Sequence, residues 1–155
     1  MSVDVPNQPA PPVSAHFVNN VLAAAASYID EDPDYARDGL AELGQYLSYR
    51  LRESTAPVSA AQELEHTATY LRLQQARFPD RLEVEMPEAA DVRGRVAPGT
   101  IREPVAELVG RRLREDPGEL AVTLRAQDEG KAVHVAVRGA GRAESVSIPL
   151  TEVTA

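Results

Sequence analysis

The sequence contains no cysteine, no tryptophan and no long hydrophobic run. The missing cysteine excludes a disulfide framework and a thiolate metal site. Because no apolar run approaches the roughly 20 residues that a membrane-spanning helix needs, we expect a cytoplasmic protein without a membrane segment. Basic residues are also scarce, since 16 Lys and Arg stand against 24 Asp and Glu, for a net charge of −8. This balance argues against nucleic acid as a partner and favours a protein or a small ligand.

Residues 1–12 form a proline-rich leader. They include four prolines among small and polar residues, without helical or strand periodicity, so we predict that this leader is disordered. It has neither the basic start nor the apolar core of a signal peptide. The remaining chain is long enough for one compact domain with a helical appendage.

A first helix is predicted to begin near His16. Ser14 is a typical N-cap residue, which places His16 in the first turn and Asn20 one turn later on the same face. A neutral imidazole there can attack a phosphoryl group, and the unpaired N–H groups of the helix start favour phosphoryl oxygens. By residue type alone, both side chains are more often solvated helix residues than functional ones.

A second helix is predicted after the acidic break at residues 30–32. Asp32 can cap it with Pro33 at its first position, and leucines recur along one face at 40, 43, 47 and 51. The short connection predicts an antiparallel hairpin over residues 13–54. Because such a hairpin cannot bury its apolar faces alone, we expect two copies to form a dimeric four-helix bundle.

Residues 58–155 are typical of an α+β domain. Capping boxes predict two further helices, one starting at Ser59 with Gln62 and one starting at Thr100 with Glu103. Alternating apolar residues predict strands over 82–86, 120–125, 133–137 and 145–150, with a weaker one over 92–96. Helices on one face of a mixed or antiparallel sheet give a small α+β sandwich.

From residue 16 to about residue 109 the chain resembles the LytS-type sensor histidine kinases. Their phosphoacceptor motif, His-Phe-x-Phe-Asn-x-Leu-Asn, is matched by His16, Phe17, Asn20 and Leu22, with Asn19 and Ala23 departing from it. The family has four further segments, V-x-L-x-x-E-L, Y-L-x-I-Q, R-F-x-D-R-L and P-L-V-E-N-A. They are matched in order by Val58, Glu63-Leu64, Tyr70-Leu71, Gln74, Arg77-Phe78, Asp80-Arg81-Leu82 and Pro104 to Glu107. The resemblance implies a phosphoacceptor hairpin followed by a GHKL-type ATPase-like domain.

The chain departs from that family where nucleotide is bound. The Asn that helps to hold Mg²⁺ falls on Leu108, and leucine offers no oxygen ligand. The adenine-binding Asp-x-Gly-x-Gly segment falls on Arg138 to Gly141, with a cation in place of the carboxylate. The strand at 145–150 follows at once and leaves no room for an ATP lid. We therefore expect a degenerate domain with no cofactor of its own.

The other titratable residues favour structural roles. His66 lies on a predicted helix rich in Glu, and His134 lies in a predicted strand. Glu107 matches the position of the carboxylate that acts as a base in these kinases. Because the neighbouring Asn is absent, we expect Glu107 to lie at the surface or to be partly buried. The cluster of Arg77 with Asp80 and Arg81 is expected to tie a helix end to the following strand.

Three functions remain open. The preferred one is a histidine phosphotransfer protein of two-component signalling, in which His16 exchanges phosphoryl groups with a response-regulator receiver domain that brings its own Mg²⁺. This arrangement is similar to the sporulation phosphorelay phosphotransferase, and a separate histidine kinase is a further expected partner. The second is a non-catalytic pseudokinase, a regulatory dimer that only binds. An active ATP-dependent kinase with an unusual nucleotide site ranks last.

Overall fold

A computed structural model describes residues 13–153. The predicted disordered leader, residues 1–12, lies outside the described residues. Within the described range the fold is α+β, as the sequence predicts. Its four α-helices are α1 (Ala15–Ser27), α2 (Pro33–Arg52), α3 (Ala60–Arg77) and α4 (Arg102–Glu115). No helix in this range is long and apolar enough to cross a membrane.

The strands form one main sheet and one small one. They are β1 (Val58–Ser59), β2 (Leu82–Glu85), β3 (Arg95–Val96), β4 (Leu120–Gln127), β5 (Ala132–Gly139) and β6 (Arg142–Pro149). The main sheet has the order β2-β4-β5-β6, with β2 parallel to β4 and the other neighbours antiparallel. The weak strand predicted over 92–96 shortens to β3, which pairs with β1 outside the main sheet. The mixed sheet is therefore confirmed, with a separate two-stranded ribbon.

Local capping starts three of the helices where the sequence predicts. The Ser14 hydroxyl accepts a hydrogen bond from the Phe17 N–H at 3.2 Å, and Asp32 accepts one from the Tyr35 N–H at 3.0 Å. Ser59 and Gln62 bond each other's backbone N–H groups at 3.1 and 3.2 Å, which is the predicted capping box. These bonds join residues three apart, so they form without tertiary contacts.

The capping box predicted at Thr100 and Glu103 is wrong. The N-cap of α4 is Ile101, and no side chain of its own segment caps it. The buried Glu63 carboxylate of α3 instead accepts hydrogen bonds from the N–H groups of Ile101 at 2.9 Å and Arg102 at 3.3 Å. The Glu103 N–H that a Thr100 cap would need donates instead to the Gly99 carbonyl at 2.9 Å, and the Thr100 hydroxyl donates to the Ala97 carbonyl at 2.5 Å.

The core lies between the helices and one face of the main sheet. Alternate residues of the two central strands are buried, as their pattern predicts, and face α3 and α4. These buried residues are Leu120, Val122 and Leu124 of β4 and Val133, Val135 and Val137 of β5. Val105 and Val109 of α4 are fully buried in the same cluster. Each such side chain contributes about 1.5–3 kcal/mol relative to exposure.

The two N-terminal helices pack against α3 of the same chain. Val21, Leu43 and Tyr46 therefore join the cluster that includes the sheet residues. Other apolar side chains of α1, the turn and α2 stay in solvent: Leu22, Ile29, Leu40 and Leu51 are 41%, 54%, 46% and 81% exposed. The predicted leucine stripe thus splits between core and solvent. The dimeric four-helix bundle and the division at residues 54–58 stay predictions.

Candidate functional site

His16 and Asn20 line one cleft of about 440 Å³. His16 is exposed in the first turn of α1, and Asn20 is partly exposed one turn later. The opposite walls come from α2, α3 and α4. The fold therefore brings the two residues singled out in the sequence to the same opening, facing side chains from three other helices.

Phe17 fixes the direction of His16. The Phe17 ring lies 5.6 Å from the Tyr46 ring of α2 and 5.5 Å from the Tyr70 ring of α3, measured between centroids. Such aromatic pairs add about 0.5–1.5 kcal/mol to the burial of each ring. Because Phe17 is held between two helices, the first turn of α1 cannot rotate freely, and His16 stays on the cleft side.

The cleft is strongly basic. Its lining includes four arginines and a single acidic residue, Glu103. Two of the arginines form ion pairs, since Arg102 contacts the Glu53 carboxylate at 3.0 Å and Arg50 contacts it at 3.4 Å. The remaining two, Arg77 and Arg114, form no ion pair within residues 13–153. The cleft thus presents two uncompensated guanidinium groups to whatever enters it.

A chain of hydrogen bonds positions Arg77. Its guanidinium donates to Gln74 Oε1 at 3.0 Å, and Gln74 Nε2 donates to the Tyr70 hydroxyl at 2.7 Å. The same guanidinium lies 5.9 Å from the centroid of the Phe17 ring and 4.8 Å from that of Phe78. Burial without a carboxylate lowers the pKa of Arg77 below its usual value. An anion in the cleft would remove this penalty.

A buried ion cluster forms the floor beside the cleft. Glu63 is fully buried, accepts backbone N–H groups at the start of α4, and lies 3.9 Å from the Arg102 guanidinium. Arg102 in turn joins Glu53 at the end of α2. These contacts connect α2, α3 and α4 around the cleft. The site is therefore built on fixed helices rather than on loops.

His66 is buried beside this cluster. Its ring stacks on Tyr49 at 3.9 Å and on Tyr46 at 5.0 Å between centroids. Burial, with the nearby Arg102 and Arg50, lowers the pKa of His66 to about 3. A neutral histidine with 4% exposure cannot reach a partner's phosphoryl group, which supports the structural role expected for it.

A buried arginine contacts the segment from Arg138 to Gly141, which was matched to the adenine-binding motif. Arg112 of α4 is fully buried and forms an ion pair with Asp116. Its guanidinium donates to the carbonyls of Val137 and Gly139, each at 3.0 Å. Leu108, at the position matched to the metal-binding Asn, is 7% exposed in the core. Arg112 therefore ties α4 to the end of β5 beside the Arg138 to Gly141 turn.

The sequence misjudged the arginines that follow Gln74. Arg81 does act as a tie, but its guanidinium donates to the Leu113 carbonyl in the last turn of α4 at 3.3 Å and to the Gly118 carbonyl after that helix at 3.1 Å. Arg77 turns the other way, into the His16 cleft. Arg77 is the last residue of α3 and Arg81 lies beyond the helix end, so their four-residue spacing does not place them on one helix face. Glu107 is exposed, as expected.

Comparison with known proteins finds histidine kinases. The family model described as "Histidine kinase" matches residues 12–82. The sensor protein LytS of Enterococcus faecalis is 30% identical over 148 residues, which cover 92% of this chain and 25% of that protein. The sensor histidine kinase YpdA of Escherichia coli is 28% identical over 130 residues, covering 83% of this chain and 23% of that protein.

The chain spans about a quarter of the length of these curated relatives. The family match includes His16, Asn20 and Arg77, while the two alignments extend over most of the described residues. The homologues are sensor histidine kinases of two-component signalling. On these matches the chain belongs to the LytS-type histidine kinase family.

Proposed function

We propose that this chain is a histidine phosphotransfer protein that acts through His16 and binds no ATP. The observation that carries the proposal is the position of His16, which is exposed at the rim of a cleft with two uncompensated arginines. An attacking imidazole must reach its partner's phosphoryl group, and nearby fixed cations stabilise the charge on the transferred oxygens. The lining of this cleft offers both an exposed imidazole and fixed cations.

The proposed partner is a response-regulator receiver domain bearing an aspartyl phosphate. One ring nitrogen of His16 attacks phosphorus while the bond between phosphorus and the aspartyl oxygen breaks, and the carboxylate leaves with that electron pair. The imidazolium then loses the proton on its other nitrogen to water, which leaves a neutral phosphoramidate ring. The receiver supplies its own Mg²⁺, so this chain needs no metal site. The reverse sequence returns the phosphoryl group to aspartate.

Two features support a role without ATP. Leu108 offers no oxygen at the position matched to the metal-binding Asn, and a divalent cation requires oxygen ligands. The Arg112 guanidinium donates hydrogen bonds to the Val137 and Gly139 carbonyls, beside the segment matched to the adenine-binding glycines. Transfer from a receiver needs neither feature. A dimer through the exposed apolar residues of α1 and α2 is part of the proposal, as in a two-fold helical bundle.

Incubation with a ³²P-labelled receiver domain and Mg²⁺ tests the proposal. We expect label on the chain as an acid-labile, alkali-stable phosphoramidate, because the acceptor atom is nitrogen. His16→Gln should abolish labelling and keep receiver binding, whereas the matched His134→Gln protein should be labelled like the wild type. An unlabelled wild-type chain that binds the receiver as tightly as His16→Gln would establish the pseudokinase alternative. Label that persists on His16→Gln would refute the assignment of His16.

A further inference from the structure

We propose that Arg77 and Arg114 form an oxyanion site that binds the phosphoryl group opposite His16. The inference rests on the proposed function and names the residues that would neutralise the transferred group. Both arginines line the cleft that His16 and Asn20 line. The ligand is a phosphate-type oxyanion, whether carried by the receiver's aspartate, by His16 or by free inorganic phosphate.

Arg77 has a charge that its neighbours hold in place and that no carboxylate within residues 13–153 pairs with. It is partly buried, and among these residues its one polar partner is the neutral Gln74 Oε1 at 3.0 Å. Its guanidinium lies over Phe17, the residue next to His16, at 5.9 Å from the ring centroid. A buried cation usually has a carboxylate partner. Here the neighbouring groups are aromatic rings and an amide, which leaves the charge open to an anion that enters the cleft.

Arg114 reaches the same place from α4. A side-chain carbon placed on Gly110 would lie 3.5 Å from Arg114 Nη1 and 3.9 Å from the Tyr70 hydroxyl oxygen. The guanidinium therefore lies over the bare backbone of Gly110, beside Tyr70. Both Arg114 and Arg77 act to lower the pKa of Tyr70 against the larger effect of burial, which raises it. Tyr70 and the two cations therefore line the same cleft.

The acidic residue of the cleft does not neutralise this pair. A side-chain carbon on Gly99 would lie 2.8 Å from Glu103 Oε1 and 3.2 Å from Arg102 Nη2. The Glu103 carboxylate therefore lies at the Gly99 end, next to Arg102. Glu53 already compensates Arg102, at 3.0 Å. The two guanidinium groups thus line the cleft without a carboxylate of their own, and guanidinium groups are well suited to bind the oxygens of a phosphoryl group.

An NMR titration with inorganic phosphate tests the site. The full chain, labelled at histidine, is titrated at constant ionic strength with chloride as the balancing anion, and the His16 imidazole resonances are followed. We expect saturable shifts in the wild type and in the matched control Arg125→Gln, which alters an exposed arginine of β4. Arg77→Gln/Arg114→Gln should bind phosphate about tenfold more weakly or worse, since two charged hydrogen-bonding groups are lost. Arg77→Lys/Arg114→Lys should retain saturable binding.

Phosphoryl transfer provides the second measurement on the same proteins. The double Gln variant should transfer about tenfold more slowly or worse, with its affinity for the receiver unchanged. Arg114→Gln alone should also slow transfer, and it keeps the packing of Arg77 on Phe17 if the double variant unfolds. Wild-type phosphate shifts that are absent, or equal in the double Gln variant, would overturn the inference.

The two proposals fail in different ways. Arginine-dependent phosphate binding without any label on His16 would support the oxyanion site and refute phosphotransfer. Transfer at the wild-type rate in a folded double Gln variant would leave the function intact and overturn the oxyanion site.

Discussion

The Glu63 carboxylate caps a helix 38 residues away, accepting the Ile101 N–H at 2.9 Å from a fully buried position. The same carboxylate accepts the Gly99 N–H at 2.9 Å. It also balances the buried Arg102 guanidinium, which Glu53 holds from α2. One buried acid thus sets where α4 begins and how the wall of the His16 cleft that carries Arg114 is placed.

Glu63→Gln should be strongly destabilising. The amide keeps one acceptor oxygen but turns an NH₂ group towards a backbone donor and leaves Arg102 with less compensating charge. We expect a loss of about 3 kcal/mol in the free energy of unfolding, measured by urea denaturation. Glu65→Gln, at an exposed position on the same helix, should change it by no more than about 0.5 kcal/mol. Equal effects of the two substitutions would contradict the capping role.

His66 should make the protein less stable in mild acid. The pKa of His66 in the folded protein is about 3, below the ordinary value of 6.5. As the pH falls below 6.5, the unfolded chain therefore binds a proton at His66, whereas the folded protein does not. The free energy of unfolding should then fall by up to about 1.4 kcal/mol per pH unit from this one group. Above pH 6.5 the contribution is complete.

A comparison with His66→Phe isolates that effect. Phenylalanine keeps a flat ring between Tyr46 and Tyr49 and does not titrate. Between pH 6.5 and 5, urea denaturation of the wild type should show a loss about 2 kcal/mol larger than that of the variant. Parallel pH profiles for the two proteins would mean that His66 is protonated in the folded state.

The chain should bind neither ATP nor ADP. Leu108 cannot coordinate a metal ion, and Arg112 is committed to Asp116 and to the Val137 and Gly139 carbonyls. Calorimetric titration with nucleotide and Mg²⁺ should give no heat beyond dilution. Saturable heat at micromolar nucleotide would restore the ATP-dependent kinase, the alternative ranked last.

The dimer should depend on exposed leucines of α2. Leu40 and Leu51 are 46% and 81% exposed, so Leu40→Glu/Leu51→Glu should leave the fold intact and place charges in the interface. We expect the mass by light scattering to fall to that of a monomer. Val146→Glu, at an exposed apolar position of β6, is the matched control and should keep the wild-type mass. Leu43 is unsuitable for this test, since it is buried within its own chain.

Features decided by residues near each other in sequence were predicted well. The caps at Ser14, Asp32 and Ser59 join residues three apart. The alternation of buried and less buried residues in β4 and β5 follows the alternation of apolar residues in the sequence. The placement of His16 in the first turn of a helix follows from the first of these caps. The α+β class follows from the order of the elements.

Features decided by distant residues were missed. Thr100 and Glu103 match a capping-box pattern, but the helix begins after Ile101, where the buried Glu63 of another helix accepts the Ile101 and Arg102 N–H groups. The sequence also did not predict which leucines of α2 are buried, because this depends on how α2 packs against α3.

The sequence by itself determined the helices, the strands, the histidine kinase motifs and the position of His16 on a helix start, because these depend on local hydrogen bonds and on periodicity. Only the tertiary structure decided that Arg77 and Arg114, distant along the chain, meet around Tyr70 in the cleft of His16. The direction of a long charged side chain depends on which neighbouring groups it can bond to or pack against. That information exists only once α1, α3 and α4 are packed together.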